Sequence, residues 1–450
     1  MKKLLQNKLV SFVFPSESQP YWEGFILGFA WKQARLLAKH PIISGSTAIF
    51  LGAFLGNIFN FLFNLFMSRN VSDSDYGTLT SLSSLMTLFA LPVGAIIPML
   101  VYFSASYYAK GDLDLIRGLY RKVTKPAFII GIVFLAIFSI YRIEIARFFN
   151  IQETSYIIFV GLNTFLAFVG LANQPLLQAK LAFGFLASLN TFSAFLKLTL
   201  SIIAVFFGYS VGGVLWAFLI SSLIPYFVSF FPLKFLLARN TTVPSISLKS
   251  ISLYGAPAAL AMFGLTSLIT IDIILVKHFF APDDAGVYAR LSLIGKVIYY
   301  FSAPIASVMF PLIAQKHSKG ENFHNDVRLS FLLVLIPSIC LLIFYSLFPS
   351  FVVSIFSPKP IPHPLVYLII VFGIFTGIYG LLSVLTNFYL SINKTNVFIP
   401  ILLGAFFQAM LIWLFHETFF QVIMISLSIA GLLLIGLLLY YWKLYGKKSK

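Results

Sequence analysis

The stretch SLITIDIILVKHFFAPDDAGVYARLSLIGKVIYY, residues 267–300, decides how the rest of the chain is interpreted. Two long apolar segments in it flank a short acidic turn, and both segments carry ionisable side chains. Charges are costly inside apolar segments, so their presence there needs a structural or functional reason. The acidic turn Asp283-Asp284-Ala285-Gly286 also has a counterpart at Asp75-Tyr76-Gly77. The pair of turns indicates a duplicated chain of apolar helices.

The composition is that of an integral membrane protein. The chain has 450 residues, of which 59% are hydrophobic and only 10% are charged. Soluble proteins of this length carry roughly 25% charged residues. The net charge of +17 is explained by basic cytoplasmic loops, and we therefore expect no nucleic-acid partner. The predicted fold class is all-α, with about twelve transmembrane helices.

Hydropathy predicts twelve segments that could cross a bilayer, each of about 20 residues. The third segment is short and its ends are poorly defined by sequence. The predicted spans are 42–67, 77–104, 126–141, 155–178, 183–207, 211–236, 251–279, 286–314, 328–348, 364–390, 395–415 and 418–442.

The distribution of Lys and Arg predicts the orientation. With the N-terminus inside the cell, only five of the 31 basic residues fall on the outer side, and three lie within spans. Basic residues accumulate in the cytoplasmic loops of membrane proteins, so both termini are expected to be cytoplasmic. The five outer residues are Arg69, Arg142, Arg147, Lys277 and Lys359.

An internal repeat divides the chain into two lobes. Asp75 and Asp284 are 209 residues apart, and the segments 146–150 and 353–357 are related by an offset of 207. Six spans separate the copies, so both copies have the same orientation and should enclose a central cavity. We predict an N-lobe at 42–236 and a C-lobe at 250–442. They are flanked by a cytoplasmic tail at 1–41 and a basic tail at 443–450. The pattern of the first tail suits either an amphipathic helix at the membrane surface or a loosely ordered segment.

The acidic turns are predicted to start the helices that follow them. Asp75 and Asp284 are expected to cap those helices, because Asp favours helix N-termini. Gly77 and Gly286 are expected to permit a tight turn.

Polar residues within spans are the candidate substrate contacts. Asn57, Asn60 and Asn64 share one face of the first span. They suit either a cavity wall or hydrogen bonds between helices. Lys197 and Lys296 lie deep in spans 5 and 8 and are expected to face an anion.

Arg290 and Asp272 have alternative interpretations. Arg290 lies close enough to the outer turn to reach the interface, or it contributes to the cavity. The favoured interpretation of Asp272 is a structural ion pair with Arg290, and the alternative is a proton-linked coupling carboxylate. Bases outnumber acids within the spans, which favours a phosphate or diphosphate substrate.

The sequence predicts neither a cofactor nor a metal site. The six histidines are scattered, and the sole cysteine, Cys340, excludes a disulfide framework. The chain contains no phosphate-binding loop for ATP.

Several of these features together resemble a known family. They are the Asn-rich first span, Arg69 followed by Ser74-Asp75-Tyr76-Gly77, the later turn at 283–288 and Gln178-Ala179-Lys180. Over about residues 42–442 the chain resembles O-antigen (Wzx-type) polysaccharide flippases of the multidrug/oligosaccharidyl-lipid/polysaccharide (MOP) superfamily.

The resemblance implies a V-shaped pair of six-helix lobes in the bacterial inner membrane. It implies transport of undecaprenyl-diphosphate-linked glycans from the cytoplasmic to the outer leaflet, with Lys197, Arg290 and Lys296 as cavity bases and the three asparagines on the first helix. The expected partners are the bilayer, the lipid-linked glycan and polysaccharide-assembly proteins, and we expect a monomer.

Three alternatives stay open from the sequence. A peptidoglycan-precursor flippase would also need a basic cavity. A drug/cation antiporter of the same superfamily would need acids facing the cavity, and span 1 offers none. A membrane glycosyltransferase or polymerase could use the turn aspartates as catalytic acids, but it would usually carry a larger extracytoplasmic loop.

Overall fold

A computed structural model describes residues 41–237, 248–318 and 320–445, and this part of the chain is helical without strands. Its twelve long helices are α1 (Pro41–Asn70), α2 (Asp73–Ala109), α3 (Leu113–Ile140), α4 (Ser155–Val169), α5 (Phe183–Phe206), α6 (Val211–Ser229), α7 (Leu248–Phe279), α8 (Pro282–Ser318), α9 (His324–Leu347), α10 (Leu368–Ser391), α11 (Phe398–Leu414) and α12 (Phe419–Tyr445). Short helices lie at Arg142–Phe148, Asn173–Ala179, Pro349–Phe356 and His363–Val366, with 3₁₀ turns at Lys234–Leu237 and Thr395–Val397.

Ten segments in the described ranges are long and apolar enough to cross a membrane. The two other long helices are α1, with 30 residues, and α8, with 37 residues. At 1.5 Å per residue, both exceed the roughly 30 Å of a bilayer core. We call α1–α6 the N-lobe and α7–α12 the C-lobe.

The helix boundaries differ from the predicted spans at α3. This helix begins at Leu113, well before the predicted start at residue 126, because Asp112 caps it by accepting a hydrogen bond from Leu115 N at 3.0 Å. Its first turns carry charges, so hydropathy did not detect them. The predicted tail helix within residues 1–41 and most of the basic tail at 443–450 lie outside the described residues.

The ends of equivalent helices reproduce the internal repeat. Gly111 after α2 and Gly320 after α8 are 209 residues apart, and both have φ +71°, which glycine adopts without strain. Each is followed by a backbone hydrogen bond spanning five residues, Asp112 N to Tyr107 O at 3.1 Å and Glu321 N to Lys316 O at 2.9 Å. This closure is the Schellman motif. Helices α2 and α8 also have the same length, 37 residues.

The lobes meet chiefly through α2, which packs against both α7 and α8. By the repeat, the α2–α7 contact should be matched by one between α8 and α1. Among the described residues, α1 and α8 form no comparable contact. The junction between the lobes is therefore packed on the α2–α7 side and open on the α1–α8 side.

Candidate functional site

A central cavity of about 560 Å³ lies between the lobes. Its wall comes from α1, α2, α5 and α6 with Asn163 of α4, and from α7 and α8 of the C-lobe. Most polar positions are Asn, Ser or Thr, and the charged positions in the described wall are both lysines. The polar lining residues are Asn60, Asn64, Thr80, Ser83, Ser84, Thr87, Asn163, Asn190, Ser193, Lys197, Ser221, Ser222, Thr270, Lys296 and Tyr300, with Tyr76 at one end.

Lys197 reaches the cavity from α5 of the N-lobe. Its ammonium group donates a hydrogen bond to Asn60 Oδ1 of α1. The nitrogen also lies 4.6 Å from the Phe63 ring centroid and 5.5 Å from that of Phe218. Aromatic faces attract cations, so these rings help to hold the charge at a fixed place in the cavity wall.

Lys296 enters the same cavity from α8 of the C-lobe. Within the described part of the chain, its amine forms no direct hydrogen bond or ion pair. Asp272 is close enough to interact with it electrostatically. The amine is therefore available to an anionic ligand, although it is held in the field of a buried carboxylate.

Two of the three predicted asparagines line the cavity. Asn60 and Asn64 donate their side-chain amides to backbone oxygens one turn earlier in α1, at 2.9 and 2.8 Å. These two bonds stay within α1, but the oxygen of Asn60 also accepts from Lys197 of α5, so Asn60 takes part in a hydrogen bond between helices as well as lining the cavity. Asn57 is exposed and is not part of the described cavity wall. Substrate contact by these residues stays a prediction.

Arg290 is neither in the cavity wall nor paired with Asp272. It is buried and forms an ion pair with Asp73 of the N-lobe. Its Nε donates to the Ser68 carbonyl at 2.7 Å and its Nη2 to that of Val71 at 3.2 Å. The predicted Asp272–Arg290 pair is wrong because the start of α2 approaches Arg290, and no sequence pattern indicated that approach.

Asp272 is buried on α7 and accepts a hydrogen bond from the Tyr288 hydroxyl at 2.9 Å. Its second oxygen, Oδ1, has no hydrogen-bond partner among the described residues. A buried carboxylate left partly unpaired is costly, which is usual at functional positions in membrane proteins. Its coupling role stays a prediction.

The two acidic turns differ in detail from the prediction. Ser72 caps α2 by accepting a hydrogen bond from Asp75 N at 3.1 Å, and Asp75 lies in the first helical turn, where it accepts from the Ser210 hydroxyl at 2.5 Å. Asp284 similarly lies in the first turn of α8. The aspartates therefore favour the helix start through the helix dipole.

Gly77 and Gly286 lie inside helices, so the predicted tight-turn role is wrong. They lie where α2 and α8 touch. A Cβ added to Gly77 would be 2.8 Å from the backbone nitrogen of Gly286, and one added to Gly286 would be 1.8 Å from the carbonyl oxygen of Asp73. The glycines permit close contact between the two repeats.

A symmetric pair of contacts surrounds this meeting point. Arg69 at the end of α1 donates to the carbonyl of Ile355 at 2.8 Å. Its repeat equivalent, His278 at the end of α7, contributes Nδ1 to the carbonyl of Phe148 at 2.6 Å. Asn150 donates back to the carbonyl of His278 at 2.9 Å. All hydrogen bonds between lobes in the described ranges lie at this end, which we call the turn end.

The sequence analysis missed part of the cavity wall. Thr80, Ser83, Ser84 and Thr87 of α2 all face it. Their spacing of three, one and three residues places them on one helical face, so the signal was present in the sequence. Asn163 has only Thr164 beside it as a polar neighbour in an otherwise apolar stretch, and it gave no such pattern.

The duplicated helical fold with a central polar cavity defines a class of multi-pass membrane proteins, and solved structures of that class resemble it closely. An inward-facing multidrug-resistance MATE family transporter of the MOP superfamily aligns with a TM-score of 0.67 and 13% identity, covering 88% of this chain and 96% of that one. The lipid II flippase MurJ in an inward closed conformation aligns with a TM-score of 0.65 and 16% identity, covering 89% of this chain and 87% of that one. An outward-facing MATE family structure aligns with a TM-score of 0.57 and 14% identity, covering 91% of this chain and 97% of that one.

The sequence model of the family described as "Polysaccharide biosynthesis protein" matches residues 66–357, and the chain belongs to this family. A comparison with curated protein sequences gives no significant match. The predicted all-α fold with about twelve spans in two repeated lobes is confirmed, as is the resemblance to the polysaccharide branch of the MOP superfamily.

The glycine contact predicts the effect of adding one methyl group at the turn end. Gly286→Ala should lower the free energy of unfolding by about 1–3 kcal/mol or more, because its Cβ would overlap the Asp73 carbonyl. Thermal unfolding of the detergent-solubilised protein, followed by tryptophan fluorescence, measures the change. Gly94→Ala on α2 is the control, because its Cβ would meet nothing within 4 Å. Equal stability of the two variants would contradict the contact.

Proposed function

We propose that the protein flips an anionic polyprenyl-diphosphate-linked oligosaccharide from the cytoplasmic to the outer leaflet by alternating access, for cell-surface polysaccharide synthesis. The observation that carries the proposal is the charge of the cavity. Lys197 and Lys296 reach it from opposite lobes, and the described wall contains no carboxylate. Such a cavity attracts anions and repels cations.

The two lysines suit a diphosphate bound between the lobes. Each ammonium group is a mobile donor that can form charge-assisted hydrogen bonds to phosphate oxygens. Lys197 is already bonded to the neutral oxygen of Asn60, which a phosphate oxygen can replace. One lysine belongs to each lobe. A diphosphate bound to both lysines would therefore link the two lobes, and its binding would depend on how the lobes are placed relative to each other.

The contacts between the lobes support a cavity that opens toward the cytoplasm. The turn end is closed by the Arg290–Asp73 pair and by the contacts of Arg69 and His278. The TM-score is also higher for the inward-facing MATE family structure than for the outward-facing one, 0.67 against 0.57. To release substrate on the other side, the turn end would have to separate, which breaks all of these contacts.

The polyprenyl tail needs a path that stays in lipid. The open junction between α1 and α8 supplies such a path, because the matching junction between α2 and α7 is packed. Apolar side chains of α1, including Phe54 and Ile58, are exposed. The tail would therefore lie against α1 in the bilayer, with the diphosphate inside the cavity.

The alternatives differ in what they require of these residues. A drug/cation antiporter would need an acid in the cavity wall. A glycosyltransferase using the turn aspartates would need them free, but Asp73 binds Arg290 and Asp75 accepts from Ser210. A peptidoglycan-precursor flippase is the second candidate, favoured by the structural similarity to the lipid II flippase MurJ. Substrate competition separates it from the proposal.

The orientation in the bacterial inner membrane is part of the proposal and can be mapped with cysteines. In a Cys340→Ser background, Lys359→Cys at the turn end should react with a membrane-impermeant maleimide in intact spheroplasts. Asp114→Cys at the opposite end should react only after permeabilisation. Both side chains are well exposed, at 76% and 51%, so accessibility does not bias the comparison. The reverse labelling pattern would refute cytoplasmic termini.

Flipping assays in proteoliposomes test the anion site. Lys197→Ala and Lys296→Ala should each slow translocation of a lipid-linked oligosaccharide about ten- to a hundredfold, because each removes hydrogen bonds to a charged group worth about 1.5–3 kcal/mol. Lys394→Ala is the matched control, since it removes an exposed lysine that is outside the cavity wall.

Undiminished flipping in both cavity variants would remove the anion site. Inhibition by lipid II at equal concentration would favour the peptidoglycan-precursor alternative. Detectable glycan transfer or polymerisation would favour an enzyme.

A further inference from the structure

A second cavity lies beside the central one inside the N-lobe. It has a volume of about 310 Å³ and lies among α2, α4, α5, α6 and the short helix Asn173–Ala179. Asn163, Asn190, Ser193 and Ser222 line both cavities. The two cavities are therefore adjacent and share part of their walls. We call the second cavity the side pocket.

The side pocket is uncharged, and its surface is more apolar than polar although polar groups are spread over it. Its described lining includes four carboxamides and four hydroxyl groups, with aliphatic side chains filling most of the remainder, and it includes no acid or base. The central cavity, in contrast, contains two lysines. An uncharged pocket beside a cationic one suits a ligand with a charged part and a neutral, hydroxyl-rich part.

The carboxamides of the side pocket retain unused hydrogen-bonding atoms. Asn163 donates its amide to the Phe159 carbonyl at 2.9 Å, and Gln174 donates to Asn190 Oδ1 at 3.2 Å. Within the described residues, these bonds leave the oxygens of Asn163 and Gln174 as acceptors and the amide of Asn190 as a donor. Asn173 Oδ1 at the pocket wall also has no partner among them.

The serines present acceptors as well. Ser193 donates its hydroxyl to the Ser221 carbonyl at 2.7 Å, and Ser222 donates to the Phe218 carbonyl at 2.9 Å. Each hydroxyl oxygen keeps lone pairs for a further donor. The wall therefore offers both acceptors and, from the remaining amide hydrogens, donors, which suits a ligand with many hydroxyl groups.

We propose that the side pocket binds the neutral sugar attached directly to the diphosphate. This inference rests on the proposed flippase function and assigns a subsite for its substrate. Asn190, Ser193 and Lys197 lie on one face of α5, spaced by three and four residues. Asn190 lies about 10 Å along the helix axis from Lys197. A diphosphate held by Lys197 would therefore place its first sugar at Asn190.

The volume limits how much glycan enters. Pockets for small ligands range from roughly 300 to 1,000 Å³, and the side pocket is at the lower end of that range. It has room for the first sugar, while the rest of the chain occupies the central cavity. A uronic acid at the first position would bring a carboxylate to a wall without a cation, and it is disfavoured.

The C-lobe supplies a matched control. Asn387 of α10 is 213 residues from Gln174 and is its repeat equivalent. It donates to the Ser383 carbonyl of its own helix at 2.9 Å and lines neither cavity. Substituting Asn387 leaves the side pocket unchanged. It therefore measures how the loss of one carboxamide affects the fold alone.

The experiment compares two lipids on the full-length protein in detergent. The probes are undecaprenyl diphosphate and undecaprenyl-diphosphate-linked N-acetylglucosamine, with binding measured by native mass spectrometry. The wild-type protein should bind the sugar-bearing lipid more tightly. Asn190→Ala and Asn163→Ala should each weaken its binding about five- to tenfold, and change binding of undecaprenyl diphosphate less than twofold. Lys197→Ala should weaken binding of both lipids, and Asn387→Ala should weaken binding of neither lipid.

Two results would overturn the inference in different ways. If the wild type binds both lipids equally and neither pocket variant distinguishes them, the side pocket is not a sugar subsite, although the flippase proposal stands. If the wild type binds neither lipid, the proposed function fails and the subsite with it. Two independent pocket variants protect the test from a folding defect in one of them.

Discussion

The contact between Gly77 and Gly286 is the constraint on which the rest of the structure depends. Without side chains there, the first turns of α2 and α8 meet backbone to backbone. That approach brings Asp73 close to Arg290. The buried guanidinium of Arg290 then binds the Asp73 carboxylate and two backbone carbonyls. A buried cation is stable only when it is paired in this way. The central cavity is closed at the turn end because both residues at this contact, Gly77 and Gly286, are glycines.

The acids near this contact and the lysines farther from it have different surroundings. Asp73 and Asp75 are engaged in structural interactions at the turn end, whereas Lys197 and Lys296 lie deeper and face the cavity. Asp73 therefore joins the two lobes and Asp75 joins the starts of α2 and α6 within the N-lobe. The described cavity wall contains two bases and no acid because these acids are engaged at the turn end.

Much of the fold could be predicted from the sequence, since hydropathy and the basic loops depend on local composition. The repeat also predicted that Asp75 and Asp284 begin equivalent helices. The partner of Arg290 could not be predicted, because Asp73 lies 217 positions away and neither hydropathy nor spacing encodes approach between lobes. The lysines were recognisable as deep charges in apolar helices, whereas Asn163 and the side pocket depend on packing among four helices.

The two lobes, although built from one repeat, differ in how tightly one pair of equivalent helices is packed. Helix α10 is buried along most of its length, and the segment containing it is 72% buried, whereas the equivalent segment of the N-lobe at Ser155–Ala179 is 44% buried and borders the side pocket. A tightly packed lobe deforms little, while a lobe with internal space can repack its side chains. Duplication has thus given this chain two halves with the same helix order, in which one copy of the fourth helix is enclosed by its neighbours and the other borders an internal cavity.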